Sequence, residues 1–240
     1  IEIDPNDYRK HLGLFFATSQ RFAPSDIARI DLPAQEAAGY LRSAGSLVGA
    51  DDFDGNYLVG ICYLSIDSLA AAGQFLTQAL SLKPGDEGTL LNLANLAERT
   101  GRYEEAEKHL KLLYDVKPDD PTICNFYGYL LAEMRKELEL AEKLIIKALE
   151  KEPTNGYYID SLGWVYFQRG EYDRAVAELE RALTLVNEDP VILEHLGDAY
   201  RALKRYQDAL AAYRRSEALG GGDSSSSIGD KIKSAEKGIE

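Results

Sequence analysis

Three histidines, His11, His109 and His195, are the first residues to consider for catalysis or metal binding. His195 has Glu194 beside it and Asp198 three positions on, so a carboxylate–imidazole cluster is one interpretation of this stretch. A zinc-type site needs three or four protein ligands, and no second histidine lies near His195 in the sequence. A metal-dependent activity near His195 therefore stays open as an alternative, without a complete set of ligands.

Nucleophilic catalysis has even less support in the residue pattern. Ser161 follows Asp160 in the run DSLGW, but no histidine stands at a comparable place to act as its base. Cys62 and Cys124 belong to no C-x-x-C pair, and we interpret both as small buried residues. The chain contains neither a P-loop nor a G-x-G-x-x-G motif. We therefore expect no enzymatic activity, no cofactor and no resident metal.

The charge balance narrows the class of partner. The 240 residues include 27 Lys and Arg against 40 Asp and Glu, which gives a formal net charge of −13 at pH 7. This balance disfavours nucleic acid and anionic membrane surfaces, because their phosphates are neutralised by Lys and Arg. No apolar run approaches the roughly 18 residues that cross a bilayer, so we expect no membrane insertion of this segment. An acidic surface suits a basic protein partner or simply keeps the protein solvated.

Small residues recur through the chain in two series of nearly constant spacing. The first series, with steps of 34, 34, 35 and 34 residues, is Gly60, Ala94, Gly128, Gly163 and Gly197. The second series, with steps of 34, 35, 34 and 34 residues, is Ala72, Ala106, Ala141, Ala175 and Ala209. Both place their extra residue in the same repeat, between Gly128 and Ala141. The agreement of the two series indicates an internal repeat.

Each repeat has the pattern of two amphipathic helices joined by a short turn. In residues 156–189, an L-G-x-x-Y run lies on the first helix, Gly170 interrupts the chain, and Tyr172 follows. Neither helix can bury its apolar face alone, so such units must stack on copies of themselves. The pattern resembles the tetratricopeptide repeat (TPR), a helix–turn–helix unit of about 34 residues.

The resemblance implies an all-α fold, an α-solenoid in which TPR units form a right-handed superhelix. It covers five units, which are 53–86, 87–120, 121–155, 156–189 and 190–223. Residues 1–52 are predicted to be a divergent TPR-like unit with an inserted loop near 22–33, in which Leu12, Gly13 and Phe16 reproduce the L-G-x-x-aromatic run. Residues 1–7 look like the end of a preceding repeat helix, so we expect further repeats upstream.

A C-terminal capping helix is predicted over residues 224–240. Gly220, Gly221 and Gly222 interrupt the repeat pattern, and a serine run follows them. Apolar residues then return at helical spacing at Ile228, Ile232, Ala235 and Ile239. Such a helix covers the apolar end of the last unit.

The family resemblance also implies a binding surface. In TPR arrays the first helix of each unit lines a concave groove, and positions 2, 5, 9 and 12 of the unit face it. Carried over to this sequence, the predicted peptide-binding residues are Leu91, Asn95, Glu98, Asn125, Tyr129, Tyr157, Asp160, Trp164, Phe167, Glu194, Asp198 and Arg201. The fifth positions hold no Lys or Arg, so the cationic clamp with which some TPR domains hold a chaperone's C-terminal carboxylate is missing.

These residue types suit capture of a protein or peptide segment. Asn offers a donor and an acceptor that match a backbone amide. Tyr and Trp favour binding hot spots, and Trp164 should lie outside the core. The acidic side chains favour a basic group on the partner. The alternative is that the aromatic residues pack against a neighbouring repeat, the C-terminal helix or a second copy of the chain.

The sequence therefore predicts a non-enzymatic protein–protein interaction scaffold. A homo-oligomerising assembly module is the first alternative. The runs NFYGYLLAE, DSLGWVYF and EHLGDAYR look like a bacterial TPR subfamily that includes cell-envelope adaptors and assembly scaffolds. That resemblance leaves the compartment open between the periplasmic side of the cell envelope and the cytoplasm.

Overall fold

The structure is a computed structural model that describes residues 7–19, 32–221 and 228–239. Thirteen α-helices and no strand are present in these residues, so the predicted all-α fold class is confirmed. The helices are α1 Tyr8–Ser19, α2 Leu32–Leu47, α3 Phe53–Ser65, α4 Leu69–Leu82, α5 Glu87–Arg99, α6 Tyr103–Val116, α7 Pro121–Glu133, α8 Leu138–Lys151, α9 Gly156–Gln168, α10 Tyr172–Leu185, α11 Pro190–Ala202, α12 Tyr206–Ala218 and α13 Ile228–Ile239. Each of the five predicted units contains one pair of consecutive helices.

A third periodic series, at the start of each unit's first helix, explains where those helices begin. The side chain of the N-cap residue accepts hydrogen bonds from backbone N–H groups of the first turn, as Asp86 does from Thr89 at 2.9 Å. Such a cap contributes about 1 kcal/mol because it satisfies donors that have no partner within the helix. The N-caps repeat with the same single insertion as the glycines, at Asp52, Asp86, Asp120, Asn155 and Asp189.

The extra residue of the third predicted unit lies in its interhelical turn. Four residues separate α7 from α8, whereas three separate the helices of the other four pairs. The shorter turns each contain one residue with positive φ, such as Gly101 at 71° and Gly170 at 77°. The longer turn contains two, Arg135 at 52° and Glu137 at 46°. The insertion is therefore absorbed by a second left-handed residue rather than by the helices.

Close approach of paired helices explains the periodic small residues. A Cβ added at Gly60 would lie 2.7 Å from Cγ of Leu76, and one added at Gly163 would lie 2.8 Å from Cγ of Leu179. The five alanines of the second series are all fully buried. Larger side chains at these positions would push the helices apart, because protein interiors are already close-packed.

The chain divides into two compact units, residues 1–113 and 114–240, with the division inside α6. In the first unit α1 packs on α2, and Leu12, Phe15, Leu41 and Val59 share one hydrophobic core. Leu76, Leu93 and Leu96 form a second core on α4 and α5.

Gly13 reproduces the L-G-x-x-aromatic run in the sequence, but it does not lie at a close helix contact as Gly60 and Gly163 do. Gly13 is exposed, and a Cβ added to it would meet no described atom within 4 Å. Among the side chains of α1 whose burial is described, Tyr8, Leu12 and Phe15 are buried. The predicted insertion near 22–33 lies mostly outside the described residues, as do residues 1–6.

In the second unit the helices pack in chain order. The pairs α7–α8, α9–α10 and α11–α12 pack most extensively, and α9 also contacts α7 and α11. The C-terminal helix α13 packs on α12 and buries Ile228 and Ala235, and a Cβ added at Gly238 would meet the ring of Tyr206. None of the described helices combines the length and apolar character needed to span a membrane.

The glycine contacts predict the effect of overpacking a helix pair. Gly163→Leu places a side chain against Leu179 and the Ala175 carbonyl, so we expect the free energy of unfolding to fall by about 1–3 kcal/mol. Urea titration monitored by helical circular dichroism measures the change. The matched control is Gly85→Leu, because Gly85 is exposed and a Cβ there meets nothing within 4 Å. Equal stability of the two variants would contradict the helix pairing.

Candidate functional site

The predicted peptide-binding residues fall into three classes of exposure. Asn95, Tyr157 and Arg201 are exposed, and Asp160, Trp164, Glu194 and Asp198 are buried. The remaining five, Leu91, Glu98, Asn125, Tyr129 and Phe167, are half-buried. Leu91, Asn95 and Glu98 lie on α5 in the first compact unit, whereas the other nine lie on α7, α9 and α11 in the second.

The expectation that Trp164 lies outside the core is wrong. Only 9% of the residue is exposed, because neighbouring rings cover the indole. His195 stacks on it with ring centroids 4.2 Å apart, and Phe167 stacks on it at 4.7 Å. The indole Nε1–H donates a hydrogen bond to Glu133 of α7. Trp164 thus joins α9 to both adjacent first helices.

His195 forms its closest polar contact with the preceding first helix and not with the carboxylates beside it in sequence. Its Nδ1 lies 2.8 Å from Oδ1 of Asp160, and both side chains are buried. Burial by itself lowers the pKa of His195, but the carboxylates of Asp160, Glu133 and Asp198 outweigh this effect and raise the pKa above 6.5. We call Tyr129, Asp160, Trp164, Phe167 and His195 the imidazole cluster.

The carboxylates of Glu194 and Asp198 form ion pairs with the chain's own C-terminal helix. Nζ of Lys231 on α13 lies 2.7 Å from Oε1 of Glu194 and 2.6 Å from Oδ2 of Asp198. Both carboxylates are buried, so the expectation that they face an open groove is wrong for this conformation. We call Lys231, Glu194 and Asp198 the Lys231 bridge.

Tyr213 completes the surroundings of Asp198. Its hydroxyl donates to Oδ1 of Asp198 at 2.7 Å and accepts from Nε of Arg201 at 3.3 Å. Burial of the ring, together with the adjacent Asp198 carboxylate, raises the pKa of Tyr213. The phenol therefore acts as a neutral donor that orients one oxygen of Asp198 and leaves the other to Lys231.

Tyr157 and Asn125 lie outside the imidazole cluster and the Lys231 bridge. Tyr157 is 56% exposed at the second position of α9. Tyr129 and Asn125 are half-buried, one helical turn apart on α7. Oδ1 of Asn125 is buried and accepts no hydrogen bond within the described structure. A buried acceptor of this kind normally has a partner, because leaving it unpaired costs roughly 1–3 kcal/mol.

The arrangement does not assemble catalytic chemistry from the candidates. The Ser161 hydroxyl donates to the carbonyl of Tyr157 at 3.0 Å, so it is not directed at His195. Burial raises the pKa of Cys62 to about 12, which keeps this thiol protonated. No three histidine, cysteine, aspartate or glutamate side chains within residues 7–19, 32–221 and 228–239 are placed to hold a metal ion.

Glu133, Tyr213 and Lys231 are the interacting residues that sequence reasoning missed. Asp160 and His195 are 35 positions apart, which is one repeat plus one residue, so stacking of consecutive first helices provided a signal for that pair. Lys231 belongs to a helix outside the repeat, and no spacing rule connects it with Glu194. Contacts of this kind follow from packing alone.

Family comparison agrees with the helix pairs described above. Two tetratricopeptide-repeat models match residues 67–123 and 161–224, and together they cover half of the chain. The chain belongs to the TPR family. Members of this family are generally protein-interaction modules and not enzymes, and no catalytic family is indicated.

Two curated TPR relatives are similar to part of this chain. A TPR repeat-containing protein of Pseudomonas aeruginosa is 30% identical over 132 residues, which is 55% of this chain and 22% of that protein. The anaphase-promoting complex subunit CDC16 of Saccharomyces cerevisiae is 24% identical over 165 residues, which is 66% of this chain and 20% of that subunit. This TPR chain thus spans about a fifth of the length of these relatives.

Solved structures share the TPR fold at low sequence identity. A thermophilic TPR protein of Thermus thermophilus superposes with a TM-score of 0.62 at 24% identity, covering 78% of this chain and 99% of that one. PilW, a type IV pilus biogenesis factor, superposes with a TM-score of 0.60 at 20% identity, covering 69% of this chain and 76% of that one. At these identities the similarity concerns the fold.

The Asp160–His195 pair predicts a pH-dependent stability. A histidine whose pKa is raised by folding stabilises the protein fully below its unfolded pKa, and this contribution is lost as the pH rises through the folded pKa. His195→Gln should therefore cost roughly 2 kcal/mol at pH 6 and less at pH 9. Urea titration monitored by the fluorescence of Trp164, the single tryptophan, measures the difference.

His109→Gln provides the contrast for this measurement. Burial lowers the pKa of His109, so its contribution to stability changes with pH in the opposite direction. A His195→Gln penalty that stays equal, or grows, between pH 6 and pH 9 would contradict the charged pair.

Proposed function

We propose that this TPR chain is a non-enzymatic scaffold that binds a basic peptide or protein segment along α7, α9 and the following first helix, α11. The family is one of interaction modules, which supports the general class. The observation that carries the specific proposal is the buried, unpaired Oδ1 of Asn125 at a ligand-facing position of α7. Solvent does not reach this oxygen in the unbound chain, so in our proposal the Asn125 side chain turns outward on binding and accepts from a backbone N–H of an extended segment.

Aromatic side chains on α7 and α9 supply apolar contact area for the same ligand. Tyr129 lies one turn further along α7, and Tyr157 extends from the start of α9 with more than half of its surface exposed. Tyrosine combines a rigid apolar ring with a polar tip, which suits the centre of a binding interface. The ring of Tyr129 is supported by His195 behind it, with centroids 6.5 Å apart. The imidazole cluster therefore acts as a rigid base for the exposed residues.

The charge of the chain favours a basic segment over an acidic one. The net charge of the chain is −13 at pH 7. Acidic patches raise the association rate of cationic partners and oppose the approach of anionic ones. Binding by shape, backbone hydrogen bonding and charge requires no bond to be made or broken.

A random dodecapeptide display library tests this proposal with the full chain as bait. We expect enrichment of peptides that contain Lys or Arg, and we expect Asn125→Ala to weaken an enriched synthetic peptide about tenfold. Fluorescence anisotropy measures the affinity. Asn187→Ala is the matched control, because Asn187 is exposed and lies in the loop between α10 and α11.

Two outcomes would overturn the proposal. One is a library from which no peptide is enriched. The other is an enriched peptide that binds Asn125→Ala and the unmodified chain equally well.

Self-association is the second candidate function, and exposed apolar residues on the second helices support it. Val116 is 79% exposed at the end of α6, and Leu185 and Leu219 are exposed at the ends of α10 and α12. Isolated apolar residues on a surface are common, but these occupy equivalent positions of their repeats.

Light scattering over a hundredfold range of concentration, about 1 to 100 μM, decides this alternative. A monomer throughout the range would remove it, and Val116→Asp should dissociate any oligomer formed through this surface.

A further inference from the structure

Two carboxylates on consecutive first helices are paired with cations in the same way. Asp160 of α9 pairs with His195 of α11, and Glu194 of α11 pairs with Lys231 of α13. Asp160 and Glu194 are equivalent residues 34 positions apart. The helix α13 packs on α12 as α11 packs on α10, so it takes the place of the first helix of a further repeat.

The helix α13 buries fewer of its residues than the first helix of a true repeat does. Within α11 nine consecutive residues, Ile192–Tyr200, are buried, whereas within α13 only Ile228 and Ala235 are. An isolated helix of 12 residues is marginally stable in water, so α13 depends on these few contacts to persist. Segments that bury little apolar surface open more readily than the rest of a protein.

We infer that α13 is an internal ligand whose Lys231 occupies a binding position for a basic side chain, and that a partner segment carrying Lys or Arg displaces it. The inference rests on the proposed function, because Glu194 and Asp198 lie on α11, one of the three helices of the proposed binding surface. It adds the chemical class of the group recognised there, a primary ammonium or guanidinium, and an autoinhibitory contact that controls access to it.

The geometry of the Lys231 bridge fits a cationic group supplied either by α13 or by a partner segment. One ammonium nitrogen lies within 2.7 Å of both Glu194 and Asp198, and it retains a further N–H for another acceptor. Tyr213 donates to the other oxygen of Asp198, so this carboxylate is oriented independently of the cation that binds it. A neutral side chain would remove this ammonium from both buried carboxylates, although Arg201 remains 3.7 Å from Oδ1 of Asp198, and loss of the close ion pairs is unfavourable.

Amide hydrogen exchange tests whether α13 opens separately. In Lys231→Met the carboxylates regain water if α13 detaches, so we expect the amides of α13 to exchange about tenfold faster while those of α9 and α11 keep their protection. The matched control is Lys233→Met on the same helix, because Lys233 is exposed and pairs only with Asp230 at 3.5 Å. Equal acceleration across α9, α11 and α13 would show that α13 is a fixed part of the unit, and this would overturn the inference.

Peptide-binding measurements test which chemical class of side chain Glu194 and Asp198 recognise. Two dodecapeptide pools that differ only in a central Lys or norleucine are titrated against the full chain and against Lys231→Met. Removing the internal ligand raises the fraction of binding-competent protein, so we expect the Lys pool to bind the variant about tenfold more tightly than the unmodified chain. Adding Glu194→Gln and Asp198→Asn should abolish the preference for Lys over norleucine.

The outcomes separate this inference from the proposed function. If the Lys pool binds the unmodified chain and Lys231→Met equally, or if norleucine binds as well as Lys, the internal-ligand inference is overturned and peptide binding that depends on Asn125 stands. If neither pool binds either protein, both are overturned.

Discussion

The closeness of the paired helices is the constraint on which the rest of the structure depends. Gly60, Gly128 and Gly163 each leave room for a large side chain of the partner helix, Leu76, Ile145 and Leu179 respectively. This fit recurs at the repeat spacing, so every first helix in the second unit presents the same face to its neighbours. The helix positions in turn determine which side chains of α7, α9 and α11 can meet.

Contacts between consecutive first helices use residues that the family pattern assigns to ligand binding. Trp164 connects Glu133 with His195, and Asp160 holds the imidazole. Buried charges are tolerated there because each has a counter-charge or a donor within hydrogen-bonding distance. Residues that stabilise the stacking are less available to a partner. In our proposal the surface left for recognition is narrower than the periodicity implies, and it is centred on Asn125, Tyr129 and Tyr157.

The C-terminal helix connects the stability of the array with its function. Through Lys231 it neutralises Glu194 and Asp198, which would otherwise be exposed acidic groups at the end of the last repeat. A terminal helix with a polar outer face is also what keeps a solenoid soluble. The same contact therefore holds α13 against the last repeat and, in our proposal, competes with a basic partner for Glu194 and Asp198.

The amino-acid sequence by itself determined the repeat length, the helix pairs and the position of the inserted residue, because these depend on local periodicity and on glycine at close contacts. It also placed Asn125, Tyr129 and Tyr157 on the first helices. It could not show that Trp164 is buried, that Asp160 selects His195, or that Lys231 covers Glu194 and Asp198. The repeat spacing brings Asp160 and His195 onto adjacent first helices, but only the tertiary structure decided these points, because pairing of buried charges and rings depends on which helices stack and on which side chains then come within contact distance.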